Sequence, residues 1–232
     1  MLKSTNNADR CLFLLVMLYM TIKLMTLVLI YKIVKIGPIT ASASAFIMPI
    51  WFFLGDIIVE VFGFKRMRSI IACALLCQFV FAFGCYAFAV MPTIAPYKHQ
   101  LEYMVVLAKI PKVVIASFLA ILVGVYTNSY ILSKWKALVR GKYFWMRSLG
   151  STMIGEFIFT LIAYSMEFYN VVPMVNLVHL MLVSYGIKML VNLFSVIPAT
   201  IIVKILKSVV TIEDDDYVTI NESNMLSVGA LK

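Results

Sequence analysis

Apolar residues in this chain gather into runs of about 20 or more, the length that crosses ~30 Å of hydrocarbon at 1.5 Å per residue. The runs lie at approximately 11–34, 40–63, 69–91, 111–132, 148–167 and 177–203. They predict six transmembrane helices in one bundle, an all-α integral membrane protein. Turn chemistry separates them: Gly37-Pro38, Gly63 ahead of Lys65, Pro92 through Gln100, Gly141-Lys142, and Tyr169-Asn170 through Pro173. Pro111 suits a first helical turn, whereas Pro49 and Pro198 fall inside runs and should kink them. From about Thr211 the chain turns polar, with Glu213-Asp214-Asp215-Asp216 ahead of Tyr217. The expected division is a transmembrane domain over 1–210 and an acidic, solvated tail over 211–232. Ala41-Ser42-Ala43 resembles a signal cleavage site. The run ahead of it exceeds the about 7–15 residues of a signal core, so it reads as a retained first helix.

Composition agrees, with 63% of the 232 residues apolar and 13% charged. Ordinary soluble domains are roughly 45–50% apolar. The net charge of +9 raises the question of nucleic-acid binding. The basic residues sit in short connections with no interleaved aromatic stripe, which excludes that class and makes them topology signals. Lys3, Arg10, Lys65, Arg66, Arg68, Lys134, Lys136, Arg140, Lys142 and Arg147 fall on one side, against chiefly Lys35, Lys98, Lys109 and Lys112 on the other. Positive charge faces the cytoplasm, so both termini are expected there, in a bacterial inner membrane. Cys11, Cys73, Cys77 and Cys85 form no Cys-x-x-Cys pair, and His99 and His179, the two histidines, sit on separate segments. No metal, cofactor or enzymatic centre is expected from them. Asn221-Glu222-Ser223 fits a glycosylation pattern that a cytoplasmic tail never exposes to that machinery.

Ionised side chains in hydrocarbon cost at least ~2.5–3.5 kcal/mol each, so those retained there are candidate functional groups. Asp56 and Glu60 stand at i and i+4, on one face of the second helix. Glu156 lies near the middle of the fifth run, Lys23 and Lys188 near the middle of the first and sixth. Glu60 is close enough to the helix end to reach the interface beside Lys65 and Arg66 instead. Lys23 and Lys188 read equally as counter-ions to Asp56 and Glu156 or as binding groups. Lys32 and Lys35 are expected to snorkel to the outer interface. Gly55-Asp56 and Gly155-Glu156 occupy corresponding helices of a 3+3 inverted repeat, an arrangement that places substrate near the midplane, though two matched residues are thin support.

The segment Met48-Pro49-Ile50-Trp51-Phe52-Phe53-Leu54-Gly55-Asp56-Ile57-Ile58-Val59-Glu60-Val61-Phe62-Gly63-Phe64-Lys65-Arg66 resembles the queuosine precursor transporter family, also called the vitamin uptake transporter family. The resemblance continues through Pro111 to Ser117, Trp145-Met146-Arg147-Ser148-Leu149-Gly150-Ser151-Thr152, Tyr185-Gly186-Ile187-Lys188, Pro198 and the acidic segment from Glu213. The chain departs at Phe159-Thr160, where members often carry Asp-Thr. The resemblance implies import of 7-cyano-7-deazaguanine, its aminomethyl form or queuine for tRNA modification. A guanine-like edge offers adjacent N–H donors to a carboxylate and a flat face to an aromatic ring. Asp56, Glu60 and Glu156 are candidate acceptors, with Ser117, Asn128, Ser151, Thr152, Asn192 and Lys188 completing the site. Trp51, Phe52, Tyr126 or Trp145 would stack. Arg147 either supplies topology or forms a gating ion pair. These readings combine into a homodimeric carrier in the lipid bilayer, working by alternating access at a site framed by the second, fifth and sixth helices. No nucleotide-binding motif is present, and coupling to protons through a buried carboxylate is open. The alternative is the substrate-binding subunit of an energy-coupling-factor importer.

Overall fold

The computed structural model describes residues 2–37, 39–92, 99–168 and 173–209. The acidic segment 213–216, the Asn221 pattern, Lys98, Pro38 and Tyr169-Asn170 lie outside the described residues. The elements are α1 (Leu2–Leu29), β1 (Ile33–Ile36), β2 (Ile39–Ser42), α2 (Ser44–Phe62), α3 (Phe64–Ala89), α4 (Gln100–Leu107), α5 (Ile110–Ala120), α6 (Tyr126–Leu138), α7 (Phe144–Phe168) and α8 (Met174–Val209). A π-helical turn, Ile121–Val125, joins α5 to α6. Among the described residues six helical stretches are long and apolar enough to cross a membrane.

Apolar side chains on the outside are what a bilayer demands, since lipid tails solvate them and every backbone group is satisfied within its own helix. Phe13, Leu76, Val80, Phe83, Phe88, Leu182, Phe194 and Ile197 are all exposed in this way. α2 is the exception, with 78% of its most apolar stretch buried against protein. It runs at the centre of the bundle, against α1, α3, α6, α7 and α8.

Three boundaries differ from the expectation. The first helix ends at Leu29, and the apolar residues that follow pair as an antiparallel hairpin with Ile33 opposite Ser42 and Ile36 opposite Ile39. The purely α expectation is corrected here: Ile33, Val34, Ile36 and Ile39 are β-branched and suit a strand, and Gly37 supplies the positive φ of +60° that the turn needs. Ser42 donates its hydroxyl to the Ile30 carbonyl at 2.5 Å, satisfying an acceptor at the end of α1. The fourth run is the middle of a longer path over Gln100–Leu138, with Pro111 in the first turn of α5 as the sequence predicts. The last helix extends six residues beyond the predicted end, and α2 and α8 continue on both sides of Pro49 and Pro198.

The π turn sits where α7 comes closest. A Cβ on Gly155 would meet Asn128 Cβ at 2.5 Å and the Gly124 carbonyl at 2.8 Å; one on Gly124 would meet the Phe159 amide nitrogen at 2.9 Å. Two glycines therefore let the backbones touch, the small-residue contact by which membrane helices pack closely. Gly55 meets side chains instead, Met67 at 3.3 Å and Tyr19 at 3.5 Å, so the two glycines of the Gly-acid echo have different surroundings.

Candidate functional site

One face of α7 carries Arg147, Ser148, Ser151, Thr152, Gly155, Glu156, Phe159, Thr160, Ala163, Tyr164 and Glu167, all buried. Spacings of three and four residues place them in one line. From Arg147 to Glu167 a rise of ~1.5 Å per residue gives ~30 Å, the thickness of the hydrocarbon. The bundle thus encloses a polar line of membrane length, organised as clusters.

At one end Glu60 is fully buried and clamped. Arg147 Nη1 donates to Glu60 Oε2 at 2.8 Å and Nη2 to Oε1 at 3.2 Å, while Lys207 from the end of α8 bonds the same Oε1. Arg147 also donates to the carbonyls of Lys142 (2.9 Å) and Gly141 (3.2 Å), in a connection where Arg140, Gly141 and Tyr143 all have positive φ. The interfacial alternative for Glu60 is thereby corrected. Its cations come from α7 and α8, and Lys65 and Arg66 are exposed.

One turn away, Asp56 is 1% exposed and accepts three neutral donors: Asn128 Nδ2 at 2.7 Å, Ser148 Oγ at 2.5 Å and Thr152 Oγ1 at 3.0 Å. Asn128 reaches it because the Gly124–Gly155 contact brings α6 against α7. A small cavity adjoins the carboxylate, lined by Phe53, Asp56, Ser148, Thr152, Asn192 and Ser195 among others. Lys23 is not the counter-ion of Asp56, a second correction: among the described residues no cation lies within 4.0 Å of that carboxylate.

Further along, Lys188 Nζ lies 3.0 Å from Glu156 Oε2 and donates to Thr160 Oγ1 at 3.0 Å. The larger cavity follows, lined by Lys23, Thr26, Ser44, Ser117, Phe159, Tyr164, Glu167 and Lys188 together with apolar residues. The Lys23 ammonium sits over the Trp51 ring, 4.8 Å from its centroid, and both Lys23 and Lys188 approach the Phe159 ring, at 5.7 and 5.3 Å. Glu167 Oε1 is buried without a partner among the described residues. Burial first, and then the Glu167 carboxylate beside it, push Tyr31 up to about 12, so its phenol remains a proton donor at any working pH.

Of the residues singled out from sequence, Asp56, Asn128 and Thr152 meet around one carboxylate, with Asn192 on the adjoining cavity wall. Ser117 and Lys188 line the larger cavity, and Ser151 spends its hydroxyl on the Ser148 carbonyl at 3.1 Å. Trp51 and Phe52 are buried and stack edge to face on Phe159. Trp145 and Tyr126 are 50% and 38% exposed, on the outer surface, which removes them as stacking partners inside the bundle. Sequence reasoning missed Ser148, Phe159, Glu167 and Lys207. Glu167 was readable, standing three turns beyond Glu156 on the same face; Lys207 lay past the predicted helix end.

The family described as "Putative vitamin uptake transporter" has a model that matches residues 42–203. The chain belongs to this family. The match spans α2 through most of α8 and takes in Asp56, Glu60, Arg147, Glu156, Glu167 and Lys188. The vitamin uptake transporters are described by transport and not by catalysis, and the six apolar helices make this one a multi-pass membrane protein. No curated protein and no solved structure matches the chain.

Proposed function

We propose that the protein is a secondary carrier that imports a queuosine precursor (7-cyano-7-deazaguanine, its aminomethyl form or queuine) across the bacterial inner membrane by alternating access. The observation that carries this reading is the buried polar line of α7 with a cavity inside it: a bundle held by packing alone has no need of carboxylates at membrane depth. The larger cavity offers what a flat, polar, bicyclic ring requires, namely the Phe159 face, Lys23 and Lys188 as donors to a ring carbonyl, and Glu167 as acceptor for adjacent N–H groups. Measured by the centre of a water-sized sphere, that cavity is about 20 Å³. This is room for a water or two, so a substrate enters only when helices separate. The Glu60 clamp then closes one end; the excess of basic residues in the connections on that side supports a cytoplasmic placement for it and for both termini. A homodimer in the lipid bilayer is the proposed assembly.

The test is uptake by cells unable to make the precursor. Expression of this chain restores queuosine in tRNA from external precursor, and Glu156→Gln abolishes it at unchanged expression. No queuosine from any of the three compounds refutes the assignment. Rescue that needs co-expressed ATPase subunits identifies an energy-coupling-factor importer subunit instead.

A further inference from the structure

We propose that the small cavity beside Asp56 binds a sodium ion. Three features of the cluster lead there. The first is charge. Glu60 has two cations and Glu156 has one, but Asp56 has none within 4.0 Å among the described residues. Its three donors are neutral and all point at the carboxylate oxygens. Hydrogen bonds of that kind hold the ionised form without neutralising it, and an ionised carboxylate at membrane depth calls for a positive partner.

The second feature is size. Measured by the centre of a water-sized sphere, the cavity is about 10 Å³. That corresponds to about one such sphere, enough for one small ion and too little for an organic cation.

The third is the ligand set. Asp56 from α2, Ser148 and Thr152 from α7, and Asn192 and Ser195 from α8 line the space. All are hard oxygen donors, the class that selects alkali and alkaline-earth ions over transition metals. A single carboxylate balances one positive charge; a divalent ion would leave a net charge buried, and calcium sites gather several carboxylates. Asn192 supplies the independent sign. It is 6% exposed, yet its Nδ2 has no partner among the described residues. Its Oδ1 accepts no hydrogen bond among the described residues, so that oxygen is left to ligate an ion. Ser195 spends its proton on the Val191 carbonyl at 2.8 Å, so its oxygen has only lone pairs to offer.

A proton is the competing occupant. It would take the one lone pair that the three donors leave on Oδ1 and would need no cavity, whereas the space beside the carboxylate has room for an ion. The ion ties together α2, α7 and α8, one turn from the Glu60 clamp and one turn from Glu156, so its binding and release act on the helices that must move. Use of the ion in transport rests on the carrier reading; its binding does not.

The experiment is thermal unfolding of the purified full-length protein in detergent, with NaCl replaced by KCl or choline chloride at constant ionic strength and no organic substrate present. The midpoint rises saturably with Na⁺ and not with K⁺ or choline. Asp56→Asn and Asn192→Leu each weaken the apparent Na⁺ affinity at least tenfold. Asn192→Leu leaves the three hydrogen bonds on Asp56 in place, so it remains informative if Asp56→Asn does not fold. Identical midpoints in the three salts, a response to pH alone, or a Na⁺ response unchanged in Asn192→Leu overturns the proposal. Because no deazapurine is in the assay, its failure and failure of the substrate assignment are separate results.

Discussion

The Glu60–Arg147 pair allows a quantitative test of whether charge is enclosed or interfacial. Both side chains are at most 1% exposed and meet through two N–H···O bonds of 2.8 and 3.2 Å. Hydrogen bonds to charged groups contribute about 1.5–3 kcal/mol each. Two of them give about 3–6 kcal/mol gross, and Lys207, which stays beside Glu60 when Arg147 is lost, removes part of that. The double-mutant cycle of Glu60→Gln, Arg147→Gln and the pair should therefore return a coupling energy of about 1.5–4 kcal/mol, within the range of close buried charge pairs. Exposed pairs give about 0.2–1 kcal/mol. The assay is reversible unfolding in mixed micelles followed by far-UV circular dichroism, repeated at high salt. Screening acts on exposed charges and hardly on enclosed ones, so the coupling should persist. A coupling below about 0.5 kcal/mol, or one that collapses with salt, would refute the enclosed clamp.

Other outcomes follow from the same geometry. Gly155→Ala forces a Cβ to within 2.5 Å of Asn128 Cβ, and over-packing of this kind costs about 1–3 kcal/mol in the unfolding assay; an unchanged stability contradicts the close helix contact. Lys188→Met strips Glu156 of its cation and should cost about 3–5 kcal/mol, most of it recovered by adding Glu156→Gln; a second change that merely adds to the first sinks the pairing. Tyr31 titrates near 10 when unfolded and at about 12 in the protein, so its neutral phenol favours the fold below pH 10 and that contribution fades as pH rises from 10 to 12. The stability measured across this window should fall more steeply for the wild type than for Tyr31→Phe, and equal slopes would contradict the buried setting.

The spans were legible because hydropathy over about 20 residues is a strong, local signal. Its failures have a physical cause. Hydropathy scores Ile33, Val34 and Ile36 as apolar whatever their backbone, so it could not see that β-branching and Gly37 turn the end of the first run into a hairpin. It also marks only the most apolar part of a helix, which hid Lys207 beyond the predicted end of α8. Within one helix, periodicity placed Asp56 and Glu60 on a shared face. Partners across helices are not coded by period: Glu60 meets residues 87 and 147 positions away. Reading Trp145 as a stacking group failed because aromatic type alone does not distinguish an exposed side chain from an enclosed one.

The proposed carrier moves a deazapurine without any other subunit. Counterflow in proteoliposomes holding the purified protein and unlabelled 7-cyano-7-deazaguanine tests it most directly. External labelled compound should accumulate transiently without ATP, and Glu156→Gln vesicles should not accumulate it. Absence of exchange with all three deazapurines, or exchange that appears only with added ATPase subunits, would contradict it.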